Sequence, residues 1–218
     1  MRIAILGTGM VGRALASALV ARGHEVAMGA RKAGNPTAEA WAAGAGAAAS
    51  AGSFADAVVG ADVVFLAVKG EHAQGVLGMV GAELLAGKVV VDITNPLDFS
   101  KGMPPSLFVS NTDSLAEQLQ RAHPEARFVK TLNTLNADLM VDPGRLPEPT
   151  AVFLSGDDAA AKATVRGLLE GFGWQQIIDL GGLATARGTE AWLPLWIRLW
   201  GALGTASFNL RIVREGEA

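Results

Sequence analysis

The sequence predicts an α/β protein built on a doubly wound parallel sheet, with a Trp-rich helical extension at its C-terminus, on three observations. Short apolar runs alternate with helix-patterned stretches from the first residues onward. The first run opens directly into Gly7-Thr8-Gly9-Met10-Val11-Gly12. The runs over residues 61–68 and 88–93 are apolar enough to be covered on both faces, as strands of a parallel sheet are.

Residues 2–6 read as the first strand. From Val11 the apolar positions recur at helical spacing through Leu15, Ala18 and Leu19; Arg22-Gly23 ends that helix and residues 24–28 resume as a strand. Strand, glycine-rich turn, helix, strand is the context of a dinucleotide fingerprint in a Rossmann-like fold. There Gly7 allows the tight turn, Gly9 lets the backbone approach a pyrophosphate and Gly12 lets helix pack against strand, while the helix N-terminus presents unpaired N–H groups to the anion. A merely structural turn is the other reading, and the position between strand and helix favours the nucleotide. The second strand runs into Gly29-Ala30-Arg31-Lys32. NAD sites place an Asp or Glu there for the ribose 2′-OH; this stretch has no carboxylate, and Arg31 beside Lys32 offers a guanidinium to a 2′-phosphate. NADP(H) is therefore the expected cofactor, the alternative being a solvated loop pair.

Further along, Asn35-Pro36-Thr37 reads as a helix start with Pro near the first helical position. The Ala/Gly tract over residues 42–52 reads as helix end, loop and weak edge strand, and Ser53-Phe54-Ala55-Asp56 as the cap of a short helix. The strand over 61–68 ends at Val68 and Lys69-Gly70-Glu71-His72, a helix follows over 76–85, and the strand over 88–93 ends in Thr94-Asn95-Pro96-Leu97. A capped helix over 114–123 leads to a strand over 127–132, which ends in Asn133-Thr134-Leu135-Asn136. Ligands of doubly wound sheets bind beyond the strand carboxyl ends, so these loops and the glycine turn are expected to converge on one crevice. Asn, Thr and Pro also favour turns on local grounds. His72 is the weakest candidate, since an isolated loop histidine is more often incidental, and Glu71 is expected to face solvent. After a Pro-rich link (142–149) come a strand (151–156), a helix from Asp157 or Asp158 to 171 and a strand (174–180). The closing stretch, 185–204, puts Trp192, Trp196 and Trp200 on one helical face. That stripe reads as core or dimer contact, or as a surface for a flat ring. Pro194 and Arg198 interrupt a segment too short to span a membrane.

Two units are expected: residues 1–147 as the nucleotide-binding domain, and 148–218 as an extension of strands and helices that completes an acceptor site without folding independently. A net charge of only −3 points away from nucleic acid or an acidic membrane surface as partner. The absence of Cys excludes disulfides, thiolate metal sites and a Cys nucleophile, and three scattered His residues suggest no metal site. With no Tyr, the chain lacks the general acid of short-chain dehydrogenases. No dedicated catalytic acid or base is expected. A chain that starts a strand at once suggests a cytoplasmic protein.

Gly7 to Gly12, Gly29-Ala30-Arg31, Glu71-His72, Asn133-Thr134 and the stretch from Asp179 through Leu203 together resemble the coenzyme F420-dependent NADP oxidoreductases and their bacterial relatives. The most specific part is Ala186-Arg187-Gly188-Thr189-Glu190 with Leu193-Pro194-Leu195. The same module resembles the NADPH-binding domain of the STEAP metalloreductases, without their haem-carrying membrane helices. The resemblance implies hydride transfer straight between nicotinamide and a deazaflavin, needing alignment and exclusion of water. By the family's motif Thr8, Met10 and Val11 touch the pyrophosphate, Arg31 the 2′-phosphate, Val68 the adenosine side, and Asn95, Pro96 and Leu97 the nicotinamide side. Lys69, His72 and Asn133 complete the cofactor contacts, and Arg187 with the turn at Leu203-Gly204 faces the second ring or its tail. Ala30 stands where the family usually has Ser, which removes one phosphate hydrogen bond, and Asn133 where the archaeal F420 enzymes are expected to have His.

The expected function is an NADPH-dependent reductase of F420 or a flavin-like small-molecule acceptor, acting as a homodimer. Its rivals are a non-catalytic NADP(H) sensor and a reductase of another small acceptor or a metal chelate. An open cavity over the nicotinamide position, lined by Asn133, Trp and Met side chains, favours a reductase; a filled one favours the sensor.

Overall fold

The computed structural model describes residues 1–215. The last three residues of the expected 148–218 extension lie outside the described residues.

In chain order the elements are β1 (Arg2–Leu6), α1 (Met10–Ala21), β2 (Glu25–Ala30), α2 (Pro36–Ala45), β3 (Ala49–Ser53), α3 (Phe54–Val58), β4 (Val63–Leu66), α4 (Gly70–Val80), α5 (Ala82–Leu85) and β5 (Val89–Asp92). A two-stranded hairpin, β6 (Leu97–Asp98) and β7 (Ser106–Leu107), comes next. Then follow α6 (Leu115–Ala122), β8 (Arg127–Thr131), α7 (Ala137–Val141), β9 (Ala151–Ser155), α8 (Ala159–Phe172), β10 (Gln176–Gly181), α9 (Ala186–Ala191) and α10 (Leu193–Leu203).

Eight strands form one sheet in the order β10-β9-β8-β5-β4-β1-β2-β3. Side chains alternate across it: Ile3 and Ile5 join the core shared with α1, α7 and α8, whereas Ala4 and Leu6 join the core shared with α3, α4 and α6. Strand order reverses between β1 and β4, and such a switch point leaves a crevice at the strand carboxyl ends.

Local signals set the early elements. Asn35 caps α2 by accepting from the backbone N–H of Thr37 and Ala38, with Pro36 in the first turn. Ser53 and Asp56 form a reciprocal capping box on α3.

Three expectations need correction. The helix expected over 76–85 starts at Gly70 and breaks at Gly81, whose φ of +91° no helix continues through. The closing helical stretch is interrupted too: a 3-10 turn at Leu183–Thr185 precedes α9, and α9 gives way to α10 at Trp192, where Pro194 enters the first turn. The sheet is also not parallel throughout, because β9 runs antiparallel to β8 while β10 runs parallel to β9. Parallel neighbours are usually joined by a helix that crosses the sheet, and between β8 and β9 the longest helix is the five-residue α7. Strands β9 and β10, from the expected extension, thus complete the sheet begun by residues 2–6. The tail returns as well, with the Ala151 N–H donating to the Leu210 carbonyl. Among the described residues no helix is long and apolar enough to cross a membrane.

Candidate active site

The three fingerprint glycines differ in what surrounds them. Gly7 has a φ of +133°, and a Cβ there would lie 2.2 Å from the Ala67 carbonyl oxygen; at Gly12 it would lie 2.1 Å from the Gly7 carbonyl oxygen. Both are closed by backbone. Gly9 has nothing within 4 Å of its would-be Cβ, so the turn is open on the side where an anion would sit. Gly9 also caps α1 with no side-chain hydrogen bond and no acidic residue follows in the first turn, leaving the first N–H groups for a ligand. The Gly7 N–H donates to the Gly29 carbonyl at 3.1 Å, which brings the end of β2 beside the turn. Ala30 is buried there, while Arg31 and Lys32 are exposed and form no ion pair among the described residues.

A cavity of about 670 Å³ opens at the switch point. Gly7 through Val11 form one side, Ala67 through His72 the floor, and Thr94, Asn95, Leu97, Phe99 and Leu135 the far end. It thus gathers the predicted Thr8, Met10, Val68, Lys69, His72, Asn95 and Leu97. The size is within the range of small-molecule and cofactor sites. Gly70 lets the floor close up, since a Cβ there would lie 2.1 Å from the Asn95 carbonyl oxygen. His72 sits at the rim within 3.8 Å of Glu71, and both are exposed. Pro96 is buried behind the cavity, its carbonyl accepting from the Phe108 N–H.

At the far end the crevice meets a second cavity of about 190 Å³, lined by Asn95, Leu97, Phe99, Met103, Asn133, Leu135 and, on α10, Leu193, Trp196, Ile197 and Trp200. Asn95, Leu97, Phe99 and Leu135 belong to both. Two amides join across the junction: Asn95 Nδ2 donates to the Asn133 carbonyl at 2.9 Å, and Asn133 Nδ2 donates to Asn95 Oδ1 at 2.9 Å and to the Thr189 carbonyl at 3.0 Å. Asn133 follows Leu132, a leucine with φ +59°. A non-glycine residue in that region stores about 1–3 kcal/mol of strain, held by the surrounding fold.

Beneath the amides lies a buried ionic cluster. Lys130 Nζ donates to Asp92 Oδ2 at 2.9 Å, Glu190 Oε1 at 2.8 Å and the Thr94 carbonyl at 2.6 Å. Glu190 also accepts from the N–H groups of Leu115 and Ala116 at the start of α6. Burial pulls the Lys130 ammonium downward, but the Asp92 and Glu190 carboxylates outweigh it, and its pKa lies above that of an ordinary lysine. The cluster ties α9 to β5 and β8, and with it the Thr189 carbonyl that holds Asn133.

The three residues expected at the second ring or its tail line neither cavity. Arg187 is held by Glu117 through Nε at 2.8 Å and Nη2 at 2.5 Å and lines neither cavity. Leu203 and Gly204 end α10 in solvent, outside both cavities. The sequence reading in turn missed Phe99 and Met103 in the β6–β7 hairpin, while Leu135 lies in the loop expected at the crevice. For Trp196 and Trp200 the signal was present in the aromatic stripe. Trp192, expected on the same face, sits at the α9–α10 junction and lines neither cavity.

Residues 2–96 match the family model described as NADP oxidoreductase, coenzyme F420-dependent. A solved structure from Arthrobacter sp. FB24, provisionally named an F420-dependent NADP-reductase, superimposes with a TM-score of 0.93 at 55% identity, covering 98% of this chain and 100% of that one. The chain belongs to this family of oxidoreductases. A hypothetical protein, SMa0349, from Sinorhizobium meliloti shares the family's fold with a TM-score of 0.69 and 29% identity over 84% of this chain and 86% of its own. Metalloreductase STEAP3 of Rattus norvegicus is 32% identical over 200 residues, 89% of this chain. The chain spans only 38% of that relative's length.

Proposed function

We propose that this family member is an NADPH-dependent reductase that passes hydride directly to a flat, deazaflavin- or flavin-like ring. The observation that carries the reading is the continuity of the two cavities across Asn95, Leu97, Phe99 and Leu135. An open, aromatic chamber beyond the nucleotide crevice has a use in a reductase and none in a sensor.

The residues fit the nucleotide. The N–H groups at the start of α1 receive the pyrophosphate over the open face of Gly9, and Arg31 with Lys32 receives the 2′-phosphate. Asn95 and Leu97 border the nicotinamide end. Bound there, the nicotinamide supplies the hydride; the chain supplies alignment and an apolar wall of Phe99, Leu135 and Trp196. No ionisable side chain lines the smaller cavity, so any proton the product takes up comes from water.

Purified protein mixed with NADPH and oxidised F420, then with FMN, tests the reading through loss of the nicotinamide absorbance. Turnover with either supports it; no turnover with both leaves the sensor. A second check uses isothermal titration with NADPH, where the absence of any binding heat removes the nucleotide site altogether.

A further inference from the structure

We infer that the smaller cavity recognises its acceptor by the ring alone: it takes an uncharged flat heteroaromatic ring, and a charged tail adds nothing to binding. The inference rests on the reductase reading for the location of the acceptor and deepens it by naming what the site measures.

The lining carries no ionisable side chain, and its polar side chains are the two asparagine amides and the indoles of Trp196 and Trp200. Three nearby cations stand outside the lining: Arg187, Arg198 and, exposed on the hairpin between Phe99 and Met103, Lys101. Arg187 is locked bidentately to Glu117. Arg198 is exposed and absent from the lining; it lies two residues from both Trp196 and Trp200, about 200° around the helix from the first. A cavity of about 150 Å³ admits one benzene ring in a well-packed core. At about 190 Å³, this one takes the end of a fused ring system and leaves any tail outside.

The wall is shaped for a ring. Trp196 stacks on Phe208 with centroids 5.4 Å apart and lies 5.8 Å from Trp200, so the tail of the chain braces it from behind. Its Nε1 is buried without a hydrogen-bond partner. That nitrogen is sealed from the cavity, so the wall offers an entering ring aromatic surface rather than a hydrogen bond.

The test compares riboflavin, which is neutral, with FMN, the same ring carrying a phosphate. Each is titrated into protein saturated with NADP⁺, with binding followed by flavin emission at about 50 and 500 mM salt, a range over which exposed charge pairing is screened. The expected result is dissociation constants within about threefold of each other, shifting less than threefold with salt, as a site without charge pairing requires. Trp196→Phe, which shrinks the aromatic wall, is expected to weaken both by about three- to tenfold, and Lys101→Ala, which removes an exposed hairpin cation, neither. The inference is overturned by FMN binding at least about tenfold tighter at low salt only, by Lys101→Ala weakening FMN alone, by an unaffected Trp196→Phe, or by neither ring binding. NADPH oxidation separates the two claims. Rings that bind without oxidising NADPH sink the reductase reading and spare this one; turnover confined to FMN does the reverse.

Discussion

The wall of the crevice built by residues 7–11 and 67–70 is packed backbone against backbone at its glycines, whereas the wall built by Phe99, Leu135, Leu193 and Trp196 is made of large apolar side chains. The first is held by close backbone approaches, Gly7 against Ala67 and Gly70 against Asn95. The second is held at a distance, through α9 and the Lys130 cluster. A main-chain wall tolerates most side-chain changes and fails abruptly where a Cβ intrudes. A side-chain wall softens when its anchor is removed. On the proposed function the walls divide the work correspondingly: the first takes a pyrophosphate, common to all dinucleotides, and the second decides what may lie beside the nicotinamide.

The sharpest way to break the comparison is Gly7→Ala. The new methyl meets a carbonyl at 2.2 Å on a residue with φ +133°, and the expected cost is about 4 kcal/mol or more, with loss of NADPH binding. Urea denaturation with NADPH titration checks both; a variant that binds normally would show that the turn has slack. By contrast Thr8→Ala, on the same wall, is expected to change NADPH affinity by less than about threefold, because the wall offers backbone donors.

The matching substitution on the other wall is Lys130→Met, which leaves Asp92 and Glu190 buried without their cation. Breaking such a cluster costs about 3–5 kcal/mol. Because the pKa of Lys130 is raised by folding, its contribution is complete below the 10.5 of an ordinary lysine and disappears as pH climbs through the higher folded value. Urea midpoints measured between pH 7 and 11 are expected to fall for the natural chain at the alkaline end and to stay flatter for Lys130→Met. NADPH affinity in the variant is expected to suffer far less than acceptor binding.

The two walls also differ in how far the sequence announced them. Gly7-Thr8-Gly9-Met10-Val11-Gly12 sits between a strand and a helix, and its geometry is fixed by neighbours within a few residues, so the motif carries its own explanation. Asn35 and Ser53 are legible for the same reason, as caps acting on residues two or three positions on. The C-terminal wall depends on partners far apart in the chain. Arg187 looked available for a ligand's tail, and only folding reveals Glu117, 70 residues away, as its partner. Leu132 at φ +59° has no signature, since leucine is a residue that normally avoids that region. The reversed direction of β9 and β10 follows from the short α7 between β8 and β9, a length that the apolar periodicity of either strand does not encode.

A smaller effect sharpens the contrast at the nucleotide's far end. Arg31→Ala removes a charge-assisted contact worth about 1.5–3 kcal/mol, so NADPH is expected to weaken by about 10- to 150-fold while NADH changes little. Equal losses for the two nucleotides, measured by fluorescence titration, would take the 2′-phosphate away from Arg31. The acceptor wall lies beyond this contact, and riboflavin binding is expected to be unchanged.

The least effect is expected where the acceptor wall's support reaches the surface. Asp113 precedes α6, the helix whose first N–H groups hold Glu190, and pairs with Arg121 through two oxygens at 3.0 and 2.7 Å. The Arg121 guanidinium holds its carboxyl down at about 2. A carboxylate with a lowered pKa stabilises fully above its ordinary value of 3.8, and that stabilisation fades as pH falls toward 2. Arg121 is largely exposed, so water and salt screen the pair, and Asp113→Asn is expected to cost less than about 1 kcal/mol at pH 7. The difference between the natural chain and Asp113→Asn should shrink between pH 4 and 2 and shrink likewise in high salt, whereas the Lys130→Met difference, sealed from solvent, should not respond to salt. If added salt moved both equally, the distinction between a buried anchor and a surface brace would be lost, and with it the account of why the acceptor wall holds its shape.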